Sequence, residues 1–137
     1  MSNLADRKAL THDGTIAIAT AAVAEAKRNG WNVTIAIVDA GGHPLHLQRL
    51  DGAGPGTAAA AVGKARTSAL YGFETKGFEG MVVTDGRTGI LNLPDSLPLE
   101  GGLPITVDGV VVGGVGVSGV ASSDDAKVAT AGIDALL

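Results

Sequence analysis

The chain contains no cysteine among its 137 residues. That excludes disulfides, thiolate metal ligands and a cysteine nucleophile, and it suits a reducing compartment. Aromatic residues are nearly as scarce, at 3%. Hydrophobic residues still reach 45%, so alanine, valine, leucine and isoleucine must fill the core. Such small side chains allow elements to pack closely. Positive charge is also thin: 10 Lys and Arg stand against 14 Asp and Glu, a formal net charge of −4. With no basic run, this balance argues against a protein that grips nucleic acid by neutralising phosphates. No stretch approaches the ~18 consecutive apolar residues that span a bilayer. The first residues, Met-Ser-Asn-Leu-Ala-Asp-Arg-Lys, lack the apolar centre of a secretory signal. The expectation is one cytoplasmic domain over residues 1–137 that binds neither nucleic acid nor membrane.

What the chain has in abundance is glycine, 21 residues of it. Two runs stand out: Val-Asp-Ala-Gly-Gly at 38–42, and the long stretch from Gly101 to Gly119. Glycine weakens a strand, so a strand-like segment that keeps it needs tight turns or a close approach of backbone to another element.

Thr11 is a natural N-cap for a helix over residues 12–29, with Ile16, Ala19, Val23 and Ala26 at helical spacing. Lys27 and Arg28 suit its last turn, and Gly30 suits its end. Residues 33–39 are rich in β-branched side chains, and Gly41-Gly42 signals a hairpin into a strand over 44–50. Thr57 is the expected cap of an alanine-rich helix over 58–71. Residues 72–80 read as a loop or a short helix over 73–76, 81–83 as a short separate segment, and 90–99, with Pro94 and Pro98, as an exposed loop. A second hairpin turns at Asp108-Gly109, between strands over 103–107 and 110–118. Ser122 or Ser123 is the expected cap of a last helix over 124–136. Hairpins with segregated helices make an α+β fold around an antiparallel sheet.

Few residues offer chemistry. His43 and His46 straddle the first turn, but residues three apart on a strand face opposite ways, so a shared metal would require the turn to reorient His43. Asp39, Arg49 and Asp51 flank the same hairpin, either as a structural ion pair or as the charged rim of a ligand pocket. Lys64 and Arg66, two apart on one helix, face different sides. Glu100 precedes Gly101 and Gly102, whose N–H groups can cradle an anion or carboxylate. A buried Glu100 could serve as general base, with Arg49 and Lys64 as anion partners. The run Gly113-Gly114-Val115-Gly116 does not have dinucleotide-binding spacing, and Ser118 lacks a nucleophile-elbow context.

Six stretches, taken in order, carry a resemblance. They are Ile37-Val-Asp-Ala-Gly-Gly42, Gln48-Arg-Leu-Asp-Gly-Ala53, Gly63-Lys-Ala-Arg-Thr-Ser-Ala69, Gly101-Gly-Leu-Pro-Ile105, Gly113-Gly-Val-Gly-Val-Ser-Gly119 and Asp125-Ala-Lys-Val-Ala-Thr-Ala-Gly132. Together they resemble the GlcG/HbpS family of small haem-binding or haem-degrading domains, over about residues 10–136. The resemblance implies a profilin-like fold, with a five-stranded antiparallel sheet and helices on both faces, and it implies homo-oligomers. It also implies a small-molecule ligand, haem in some members, held in one of them by a histidine near the first helix. His12 is the residue here that could ligate haem iron. Arg49, Gly101 and Gly102 join it as ligand-binding candidates. The alternative is a cofactor-independent lyase or isomerase for a small carboxylate or aromatic acid, with Glu100 and Lys64 as its catalytic groups.

Overall fold

The computed structural model describes residues 2–136; Met1 and Leu137, the two ends of the expected domain, lie outside the described residues. The chain runs through helix α1 (His12–Arg28), strands β1 (Thr34–Asp39) and β2 (Pro44–Arg49), and helices α2 (Gly56–Tyr71) and α3 (Thr75–Val83). A 3-10 turn (Thr88–Asn92) follows, then strands β3 (Gly102–Val107) and β4 (Val110–Ser118) and helix α4 (Ser122–Asp134). All strand pairs are antiparallel, in the order β2-β1-β4-β3. The sheet among the described residues has four strands, not the five expected.

Local chemistry sets most boundaries. The Thr11 hydroxyl accepts from Gly14 N–H at 3.0 Å and caps α1, while Asp13 sits in its first turn and Lys27 and Arg28 in its last. Asp108 and Gly109 both have positive φ, at 51° and 76°. That is the geometry of a tight two-residue hairpin turn, whose twist matches that of the flanking strands.

Elsewhere the local signals mislead. Residues 81–83 are the end of α3, not a separate segment. That helix is anchored by Phe78, whose ring stands edge-on to Tyr71 at 5.8 Å and to Phe73 at 5.9 Å. The stretch after it is partly ordered by the 3-10 turn, which buries Ile90. Thr57 does not cap α2. Its hydroxyl lies 2.6 Å from Gly54 O and 2.7 Å from the Thr34 hydroxyl, and so ties the helix start to β1. Neither Ser122 nor Ser123 caps α4, which begins after Ala121 with no side-chain cap bond.

The sheet is covered on both faces. Ile35, Ile37, Val115 and Val117 pack with Ile18, Ala22 and Ala26 of α1 and Val128 and Ala129 of α4. On the other face Ala36 and Val38 meet Ala61, Ala65 and Ala69 of α2. The β4 glycines make that second contact possible. A β-carbon added at Gly114 would lie 2.5 Å from Ala65 O, and one at Gly116 would collide with Ala61 O and the Ala65 backbone. Helix α2 therefore rests on bare backbone.

Gly116→Ala is expected to destabilise the fold by about 1–3 kcal/mol, as overpacking in a closed core does. Gly77→Ala, at a helical position with open space around it, is expected to stabilise by about 0.5–1 kcal/mol. Urea unfolding of the two variants checks the opposite signs.

Candidate functional site

The close approach of α2 carries Lys64 into the interior, where the residue is 1% exposed. Its ammonium donates to Val117 O at 2.8 Å and to Asp125 Oδ2 at 3.2 Å. Asp125 Oδ1 accepts from Val120 N–H at 3.1 Å. Burial pushes the Asp125 carboxyl above its usual range, while the neighbouring Lys64 charge and the backbone donors pull it back down. This is a buried ion pair joining α2, β4 and α4.

Gly101 and Gly102 stand against this pair. A β-carbon on Gly101 would lie 2.7 Å from Val117 O and 2.8 Å from Lys64 Nζ, and its φ is +127°. A β-carbon on Gly102 would strike the Lys64 backbone. The Gly102 N–H, expected to face a ligand, instead donates to the Thr75 hydroxyl at 2.9 Å. Glu100 is half-buried at the entry to β3, and Lys64 pairs with Asp125 instead of with Glu100. The partnership with Asp125 was invisible in the sequence because 61 residues separate the two.

Arg49 lies elsewhere. It pairs in register with Thr34, at the opposite end of β1 from Asp39. Five residue steps along β1 separate the two ends, roughly 16 Å. The expected strand-to-strand ion pair with Asp39 therefore does not form. Asp39 Oδ1 instead accepts from the N–H groups of Gly41 and His43, both at 2.9 Å, and shapes the turn. Arg49 and Asp51 rim an open cleft of about 450 Å³ with Lys27, Trp31 and Asn32.

The histidines are spread out. His46 shares the face of Ile37, and its Nε2 lies 3.1 Å from Gln48 Oε1. His43 is exposed in the turn. His12 opens α1 with its side chain 86% exposed and Nδ1 4.0 Å from Asp13 Oδ1. Thr11, its neighbour, lines an apolar crevice of about 250 Å³ built from Leu10, Val107, Val112 and Leu136. The N-terminal segment runs along this crevice and carries two cations the sequence reading passed over. Lys8 lies 3.3 Å from Asp108 Oδ2, and Arg7 donates to Val111 O at 3.4 Å. On the other side of the same segment a second hollow of about 360 Å³ includes Arg7, Lys8 and Gly41.

The site candidates thus fall into three places: Lys64 with Gly101, Gly102 and the adjacent Glu100; Arg49 at the outer strand; and His12 beside the N-terminal crevice. Only the last combines an exposed imidazole, apolar walls and nearby cations. For the buried pair, Lys64→Met and Asp125→Leu are each expected to cost about 3–5 kcal/mol, because each leaves an uncompensated buried charge. The double variant is expected to recover most of that loss. A double-mutant cycle in urea measures the recovery.

Comparison with known proteins fits this architecture. A family model described as "Haem degrading protein HbpS-like" matches residues 10–134. Protein GlcG of Escherichia coli is 49% identical over 102 residues, 74% of this chain and 75% of GlcG. The crystal structure of a double mutant of Streptomyces reticuli HbpS superposes with a TM-score of 0.89 at 32% identity, covering 98% of this chain and 91% of that one. The PduOC:heme complex superposes at 0.85 with 25% identity, covering 93% and 95%. With the family model spanning nearly the whole domain and the same fold recurring in these relatives, the chain belongs to the HbpS-like family.

Proposed function

We propose that the protein binds haem at the N-terminal crevice, with His12 as the iron ligand and Arg7 and Lys8 as partners for the propionates. The observation that carries this reading is the exposed His12, which directly follows Thr11 in the wall of an apolar crevice whose flanking segment bears two cations. The donor set fits the group. A neutral imidazole is a suitable axial ligand. Leu10, Val107, Val112 and Leu136 offer an apolar wall to a porphyrin face, and a guanidinium and an ammonium suit carboxylates. Haem would supply the iron chemistry. The chain's residues position the macrocycle, shield one face from water and neutralise its acidic edge. The haem-bound state of PduOC and the haem-degrading description of the family support haem as the ligand.

The enzyme alternative places acid–base work on Glu100 and Lys64. Lys64 is closed in by Val117 and Asp125, so binding is the reading carried forward. Its ligand is a small molecule, and Arg49 lies in a separate cleft.

Titrating hemin into the full chain is expected to give a shifted Soret band that saturates at one haem per chain. His12→Ala is expected to lose the shift or to weaken binding at least tenfold, and Arg7→Ala with Lys8→Ala to weaken it with the band position retained. An unshifted spectrum, or a His12→Ala titration that matches the wild type, overturns the proposal.

A further inference from the structure

Lys64, Thr67 and Thr75 are buried, and each is hydrogen-bonded. The Ser96 hydroxyl is not. Among the described residues it is the buried side-chain group without a hydrogen-bond partner. Buried polar groups in folded proteins are nearly always paired, so an orphan needs a partner from outside the chain.

Ser96 sits on the loop after the 3-10 turn, and α2 holds this loop on both sides of it. Before it, Asp95 pairs with Arg66 at 3.1 Å. After it, Leu97 N–H donates to the Thr67 hydroxyl at 2.8 Å. The Leu97 side chain lies on Gly63, where a β-carbon would come within 2.9 Å of it. The serine is thus held beside positions 66 and 67 of the helix.

It lines a groove of about 580 Å³ between β2 and α2, a size in the range of small-molecule sites. The groove is polar at one end only. Ala58, Ala59 and Val62 line it towards the start of α2, and Leu47 of β2 adds a further apolar wall. Arg66, Asp95 and Ser96 gather at the far end. The helical rise sets position 66 about 12 Å beyond position 58. The polar end carries no net charge, because Arg66 and Asp95 cancel. Arg66 also donates to Gly42 O at 2.7 Å. These two contacts leave other N–H groups of its five-donor guanidinium unused.

We propose that this groove binds an uncharged amphiphile, a molecule with an apolar body and one terminal hydroxyl or carbonyl. The body lies along Ala58, Val62 and Leu47, and the head meets the Ser96 hydroxyl and Arg66. Rotation about the single side-chain torsion of Ser96 is the movement that this needs. A carboxylate head is disfavoured, because it would meet Asp95 and would lose its hydration at an apolar wall. The groove is on the α2 side of the sheet and the His12 crevice on the other. The proposal therefore stands or falls independently of haem binding.

Titrating n-octanol into the isotope-labelled, haem-free full chain tests it, with backbone amide shifts followed by NMR. Saturable shifts are expected at Ala58, Val62, Ser96 and Leu97, with residues 7–14 unmoved. Ser96→Ala is expected to weaken binding about threefold to tenfold, the loss of one hydrogen bond. Its urea midpoint without octanol is expected to stay level or to rise, since the hydroxyl it removes has no partner. Ala59→Trp, which fills the groove from α2, is expected to abolish saturation while keeping the wild-type circular dichroism. Octanoate is expected to bind at least tenfold more weakly than octanol. Shifts that do not saturate, or that centre elsewhere, overturn the proposal. So does a Ser96→Ala titration that matches the wild type, or octanoate binding as tight as octanol.

Discussion

Helix α2 lies directly on the backbone of β4, and most of the structure follows from that contact. Gly114 and Gly116 offer no side chains, and Ala61, Ala65 and Ala69 offer only methyl groups. The helix sits close enough for the long side chain of Lys64 to reach Val117 O and Asp125. An isolated buried ammonium is very costly. The pair is tolerable only because the distances are short and Gly101 leaves room. A larger residue at position 114 or 116 would raise α2 and draw Lys64 away from its partners. The packing of α2 on β4 and the electrostatics of the adjoining Lys64–Asp125 pair are thus coupled.

The face of the sheet that α2 covers is packed from glycine, alanine and valine, and the crevice proposed for haem lies outside it. The crevice beside the N-terminal segment and the groove between β2 and α2 occupy different parts of the surface. One offers an imidazole and two cations around apolar walls. The other offers apolar walls that end at a neutral ion pair and an unpartnered hydroxyl.

Several features were legible in the sequence because they depend on neighbours along the chain. Thr11 and Gly30 bound α1, and Asp108-Gly109 makes its turn, whatever the rest of the fold does. The glycines of 113–119 were readable as a surface for close packing, and the ordered motifs named the family. Other features depend on distant contacts and were not readable. Helix α3 ends in Met81-Val82-Val83, which locally resembles a strand, and what fixes it as helix is Phe78 buried among Tyr71 and Phe73. The Lys64–Asp125 pair spans the chain, and Asp125 locally resembles an ordinary first-turn acid. Asp39 looked like half of an ion pair, but its carboxylate is used by the turn beside it. The strand number inferred from family resemblance exceeded what these residues form, since the described hairpins supply only β1 to β4.

The most direct test of the central claim locates the ligand on the protein. Zinc protoporphyrin, which is diamagnetic, can be titrated into isotope-labelled protein while backbone amide shifts are followed by NMR. The account predicts the largest changes at residues 7–14 and at Val107 and Val112, with Lys64, Gly101 and Asp125 unmoved. Changes centred on Gly101 and Lys64, or on the Arg49 cleft, with residues 7–14 silent, would contradict it.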